Sequence, residues 1–151
     1  MRSFTPDEDD GYVALVDRGS IRIAANSFTF TNEVRLDAKN GFPGGITFNS
    51  FGNLWGTLIM SDQLFLLTPE GNCQILFDDG NPQATDALEK TFYESRVTPE
   101  LMLAASGAIA QWAASATFGG PHLKTVYLSS LRSTRIPYFR SPIAGRPMVH
   151  W

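Results

Sequence analysis

The side chains able to do chemistry are few and scattered. His122 sits in Gly119-Gly120-Pro121-His122, a turn sequence expected to leave it in solvent, and His150 alternates with Val149 and Trp151. Neither stands at a recognisable spacing from a Ser or Cys, so no nucleophile–base pair is indicated. Ser129, Ser130 and Ser133 lie in no Gly-x-Ser-x-Gly elbow. Cys73 is the sole cysteine. It cannot form an internal disulfide, and its alternation in Cys73-Gln74-Ile75-Leu76-Phe77 predicts buried strand packing rather than nucleophilic catalysis. Among the carboxylates, Asp7-Glu8-Asp9-Asp10 reads as a solvated segment. Asp78-Asp79-Gly80-Asn81 begins like a calcium loop, but the later ligand positions do not follow, so it reads as a strand-to-helix turn. Gly119-Gly120 has no phosphate-loop context. With a net charge of −3 and no basic stripe, a nucleic-acid partner is not expected.

Any site must therefore be assembled by the fold. The 151 residues suit one domain, and 43% hydrophobic with 18% charged residues is a globular composition. The 11 Phe, 3 Trp and 4 Tyr favour strands buried on both faces. No apolar run approaches the ~18 residues of a membrane span, and the first residues lack the apolar core of a signal peptide. With one cysteine, the cytoplasm is the expected compartment.

Along the chain, residues 1–10 read as a mobile lead-in and 11–151 as one domain. Tyr12–Asp17, Ser20–Ala24 and Phe28–Asp37 have strand periodicity. The clearest unit runs from Gly45 to Asp79: strands at Ile46–Phe48, Leu54–Met60, Gln63–Thr68 and Cys73–Phe77, joined by tight Gly, Asn, Asp and Pro turns. That pattern is a four-stranded meander, one blade of a β-propeller. A helical insertion follows over about 82–113. Asn81 caps a helix opening at Pro82, with Ala84, Ala87, Leu88, Thr91 and Phe92 on one apolar face, and Thr98-Pro99-Glu100 starts a second helix. Strands return at Ala116–Phe118, Thr125–Leu131 and Arg135–Arg140, and Met148–Trp151 supplies a short fourth. Pro137 places the third of these at an edge or bulge.

The two meanders align as repeats: Phe48 with Phe118, Trp55 with Tyr127, and Thr68-Pro69-Glu70-Gly71 with Ser141 to Gly145. A partial third copy lies near the N-terminus, where Val16 to Ile23 parallels Thr68 to Leu76. Internal repeats of roughly 40–50 residues point to a propeller. A β-sandwich is the alternative.

Gly41-Phe42-Pro43-Gly44-Gly45-Ile46-Thr47-Phe48 followed by Gly52-Asn53-Leu54-Trp55 resembles the family of senescence marker protein, gluconolactonase and luciferin-regenerating-enzyme-like proteins. Phe118 to Leu128 is similar to that family's last-blade signature, and Phe28 to Val34 resembles another recurrent motif. The resemblance implies an all-β, six-bladed propeller with a divalent metal, Ca²⁺, Mn²⁺ or Zn²⁺, at the mouth of the central channel. It implies metal ligation by a first-blade Glu, by the Asn matched here by Asn32, and by the Asp of a Pro-Asp-Gly turn, which also serves as the general base toward a lactone carbonyl. Such a site would polarise the carbonyl while the carboxylate takes the proton.

This chain departs from the pattern. Gly44 occupies the Asp position, the first-blade Glu has no counterpart, and Asp37 to Asn40 runs directly into Gly41, so that about one blade is missing at ~40–50 residues per repeat. Asn32 is left as a relic metal ligand or, more simply, a turn asparagine, and no catalytic residue is assigned. The expectation is a partial propeller of about three blades. It would act without ordinary lactonase activity as a binding or assembly module, with a sugar-lactone-like molecule as a candidate ligand. An active hydrolase rebuilt by oligomerisation, and a deletion product that still folds, are the alternatives. A half-ring exposes two blade faces, from which a homodimer is expected.

Overall fold

A computed structural model describes residues 2–4, 12–17, 20–25, 33–37 and 42–148. Its architecture is all-β, built of antiparallel sheets with two short helices. The strands are β1 (Arg2–Phe4), β2 (Tyr12–Asp17), β3 (Ser20–Ala25), β4 (Glu33–Asp37), β5 (Pro43–Phe48), β6 (Leu54–Leu58), β7 (Gln63–Leu67), β8 (Cys73–Asp78), β9 (Ala113–Gly119), β10 (Thr125–Ser130) and β11 (Tyr138–Arg140). Helices α1 (Pro82–Tyr93) and α2 (Pro99–Ala105) lie between β8 and β9. Among the described residues, no helix is long and apolar enough to cross a membrane.

Among the described residues three sheets form, each an up-and-down meander: β1-β2-β3-β4, β5-β6-β7-β8 and β11-β10-β9. The first contains Arg2–Phe4 paired with Ala14–Val16, so part of the stretch read as a lead-in is a strand. The second follows the sequence closely. Its β5–β6 turn is an Asx turn, in which the buried Asn49 Oδ1 accepts from the backbone N–H groups of Phe51 and Asn53, both at 3.0 Å. Among the described residues the third sheet has three strands; the fourth expected over 148–151 falls, past Met148, outside the described residues. Past β11 the chain turns toward β5: Asn49 and Gly145 form an isolated antiparallel bridge, Ser50 N donates to Ala144 O and Arg146 N to Phe48 O. Residues 144–146 thus tie the end of β5 and the turn after it to the segment following β11. Pro137 immediately precedes β11, an edge strand, and its carbonyl still accepts from Leu128 N.

The helices begin where the caps dictate. Asn81 Oδ1 accepts from Ala84 N at 3.2 Å ahead of Pro82, and Thr98 Oγ1 accepts from Leu101 N at 3.4 Å ahead of Pro99. The buried face of α1 is set by Thr85 and Leu88, not by Phe92, which is 47% exposed and meets Phe42 edge-on at 4.4 Å. The apolar stripe read from the sequence includes positions that a short, capped helix leaves at the rim. Cys73 also departs from expectation. It is exposed, because β8 is the outer edge strand and its first three residues face solvent.

Two of the repeat correspondences are matched in register, while residues 16–23 form the middle hairpin of their sheet and residues 68–76 lead into the last strand of another. Phe48 pairs with Leu54 and Thr47 with Trp55; Phe118 pairs with Val126 and Thr117 with Tyr127. Phe48 and Phe118 thus mark the same face of their sheets, and Trp55 and Tyr127 mark the opposite one. The main core joins unlike faces. Trp55, Leu64 and Leu66 from the β5–β8 sheet pack on Ala116, Phe118, Val126 and Leu128 from the β9–β11 sheet. The Trp face of one meander lies on the Phe face of the next, and the two sheets stack front to back. A second cluster, Leu54, Leu58, Phe65 and Leu67, occupies the other side of the β5–β8 sheet.

Candidate functional site

Gly44 and Gly45 fall within β5, at its bulge, and not in an open turn. Here β5 runs hard against β9. A Cβ on Gly44 would lie 2.4 Å from Ala114 O and 2.5 Å from Thr57 Oγ1, and one on Gly45 would lie 2.4 Å from Ser115 Cβ. Glycine is needed for this backbone approach. The position at which the resemblance implies a catalytic Asp therefore has no carboxylate and no room for one. What surrounds it is the Ala114 carbonyl and the buried Thr57 hydroxyl, which has no hydrogen-bond partner. These groups do not fit a divalent ion. Asn32 and His150 lie outside the described residues. Among the described residues, no group of three or more His, Cys, Asp or Glu is placed to hold a metal.

The carboxylates that the structure does bring together are Asp62 and Asp79. Asp62 turns the chain between β6 and β7 in the left-handed region, at φ 47°, and is fully buried. Its Oδ2 accepts from Gly107 N at 2.6 Å and its Oδ1 from Ala113 N at 2.8 Å. Asp79, just past β8, accepts from Ile109 N at 2.5 Å and Ala110 N at 3.1 Å. Two acids far apart in sequence thus gather the backbone N–H groups of the segment joining α2 to β9. Burial is the main cause that pushes the Asp62 carboxyl above its ordinary 3.8; the Gly107 and Ala113 N–H groups oppose it, and the charge of Asp79 adds to the rise. By accepting these backbone donors, Asp62 with both oxygens and Asp79 with Oδ2, both carboxylates act as loop clamps. The sequence shows Asp62 and Asp79 as turn residues; their shared target, about 30 to 50 residues downstream, carries no local pattern.

Other reactive side chains are separated. His122 is exposed in its turn at φ 59°, as the sequence suggests. The thiol of Cys73 is pushed up by partial desolvation, which keeps it protonated at neutral pH. The Ser115 and Ser129 hydroxyls bond to one another at 2.8 Å, and Ser130 donates to Gln111 O. A cavity of about 60 Å³ lies where α1 begins, lined by Ser61, Gln63, Asp78, Gly80, Pro82 and Thr85. Its polar atoms are already paired: Gln63 Nε2 donates to Asp78 Oδ2 at 2.9 Å, and Gly80 N to Asp78 Oδ1 at 3.3 Å. It has space for a water or two and little more.

The remaining surface of interest is the face of the β9–β11 sheet that points away from the core. By register it carries Ser115, Thr117, Tyr127, Ser129, Tyr138 and Arg140. Tyr127 and Tyr138 face each other across the strands with ring centroids 6.0 Å apart, and Tyr138 is 69% exposed. No protein-family model, curated protein or solved structure matches the chain.

Proposed function

We propose that this chain is a partial β-propeller resembling the gluconolactonase type, whose function is binding through its open blade face rather than lactone hydrolysis. The observation that carries the reading is the front-to-back stack. In a two-fold sandwich, like faces meet. In a propeller every blade presents one face forward and the other back, so that unlike faces meet. The Trp55 face lying on the Phe118 face supports the second arrangement. Such a stack ends in a face that, among the described residues, no further blade covers. Here that face bears Thr117, Ser129, Tyr127, Tyr138 and Arg140, which water can solvate, as on the terminal repeats of other stacked architectures. Binding therefore describes this end better than assembly that must bury an apolar half-core.

The absence of a carboxylate at position 44 argues against hydrolysis. A positioned general base contributes ~10²–10⁴-fold, and Gly44 supplies none. The test is an aldonolactone hydrolysis assay with Ca²⁺, Mn²⁺ or Zn²⁺, run alongside light scattering at low micromolar concentration. Background hydrolysis and a monomer are expected. Metal-dependent turnover in a homodimer would overturn the reading in favour of a hydrolase whose site is rebuilt between two chains.

A further inference from the structure

Charge is distributed unevenly along this chain. From residue 101 to residue 151 there is no Asp or Glu, while Lys124, Arg132, Arg135, Arg140 and Arg146 all fall there. The protein as a whole is acidic, at −3, so the β9–β11 sheet and its loops form a basic module on an acidic body. Arg132, Arg135 and Arg140 are exposed and make no ion pair among the described residues.

These arginines belong to one ordered strip. After β10, Ser130 Oγ accepts from Arg132 N at 3.2 Å and Ser133 N at 2.7 Å, and Ser133 Oγ accepts from Arg135 N at 3.1 Å. Successive hydroxyl-anchored turns hold the loop and present its side chains. Leu131, Ile136 and Tyr138 on the same strip are 64%, 66% and 69% exposed. The strip then becomes β11, which among the described residues pairs only with β10. Pro137 O and Ser141 N bond toward β10 and the turn before it, through Leu128 N and Lys124 O. By the alternation of an antiparallel ladder, the backbone N–H and C=O of Tyr138 and Arg140 point to the free edge. An open edge, unpaired cations and exposed apolar side chains thus coincide within ten residues, Leu131–Arg140.

We infer that the Leu131–Arg140 strip is a docking site for an extended acidic polypeptide segment of a partner protein, which adds beside β11 as a further strand. Its backbone would take the free edge, its carboxylates the arginines, and its alternate apolar side chains Ile136 and Tyr138. Carboxylates are the complement because the strip has guanidinium groups and no acid of its own. A polypeptide fits better than a nucleic acid: the aliphatic Leu131 and Ile136 have no use for phosphate, and the acidic body opposes a polyanion that must run past it. The inference deepens the binding reading above and rests on it only for the open end of the stack.

The probe is a fluorescein-labelled peptide alternating glutamate and valine, titrated with the full chain and followed by anisotropy. Saturable binding is expected, weakening as salt rises, since exposed charges are screened over about 8 Å at physiological ionic strength. The triple variant R132Q/R135Q/R140Q, shown folded by an unchanged melt, is expected to weaken binding about tenfold or more. The control Lys90→Gln, on α1, is expected to leave it unchanged. A peptide alternating lysine and valine should not bind. Absence of saturable binding, or equal binding by the triple variant, overturns the inference. Tighter binding of labelled oligothymidylate than of the peptide overturns it in favour of a single-stranded nucleic acid. Lactonase activity and solution mass are read separately, so failure here leaves the stack and its lost chemistry untouched.

Discussion

Replacing Asp62 by asparagine tests whether a buried carboxylate holds the helical insertion to the sheets. The substitution keeps shape and volume but leaves one oxygen acceptor in place of two. Since Gly107 N uses one oxygen at 2.6 Å and Ala113 N the other at 2.8 Å, one N–H must lose its acceptor and face an amide NH₂. An unsatisfied buried N–H costs about 1–3 kcal/mol, and loss of a charge-assisted bond places the effect in the upper half of that range. Relief of the buried charge and of its repulsion with Asp79 offsets part of the loss, leaving about 2 kcal/mol. For a chain of 151 residues, that is a melting temperature lower by about 4–8 °C. The pH dependence carries a sign. The folded-state pKa of Asp62 is raised above its ordinary 3.8, so the folded protein takes up this proton more readily than the unfolded one. The wild type gains stability from this group as pH falls through the folded pKa, and the gain is complete below the unfolded value. The Asp62→Asn variant has no such gain, so the gap between the two proteins should widen from neutral pH into the acid range. The assay is urea denaturation at pH 7 and at about pH 4, read by Trp fluorescence. Equal midpoints at pH 7, or a gap that closes on acidification, would refute the clamp.

Gly44→Asp should destabilise the fold by about 3 kcal/mol or more without creating a metal site, because its Cβ meets the Ala114 carbonyl at 2.4 Å; denaturant midpoints with and without Ca²⁺ check both halves. Thr57→Val should stabilise by about 1 kcal/mol, since the Thr57 hydroxyl is buried without a partner, and a lower melting temperature would show that the hydroxyl is in fact satisfied. On α1, Leu88→Ala should cost about 2–4 kcal/mol, while Phe92→Asp should cost under about 1.5 kcal/mol, in keeping with 2% against 47% exposure; the reverse order in thermal melts would place the buried face elsewhere.

Local chemistry made much of this molecule legible from the sequence. Asn81-Pro82 and Thr98-Pro99 start helices because a capping oxygen and a preset φ act within one turn. Strands β5 to β8 were readable because period-2 alternation and tight turns are short-range signals. Even the equivalence of Phe48 with Phe118 and of Trp55 with Tyr127 follows from spacing within hairpins. Other features depend on which element lies beside which, and that is a long-range property. Cys73 alternates like a buried residue, yet its strand is the outer edge of its sheet. Phe92 has helical periodicity, yet the helix meets the sheets at Thr85 and Leu88. Asp62 and Asp79 look like ordinary turn acids until the fold brings the segment after α2 to their oxygens. After β11, residues 144–146 bond to the end of β5 and the turn that follows it, a long-range pairing with no local signal. Hydrogen bonds within a turn are encoded by the residues of that turn; the choice among distant partners is made by packing, where Gly44 and Gly45 let β9 approach and Trp55 finds Phe118.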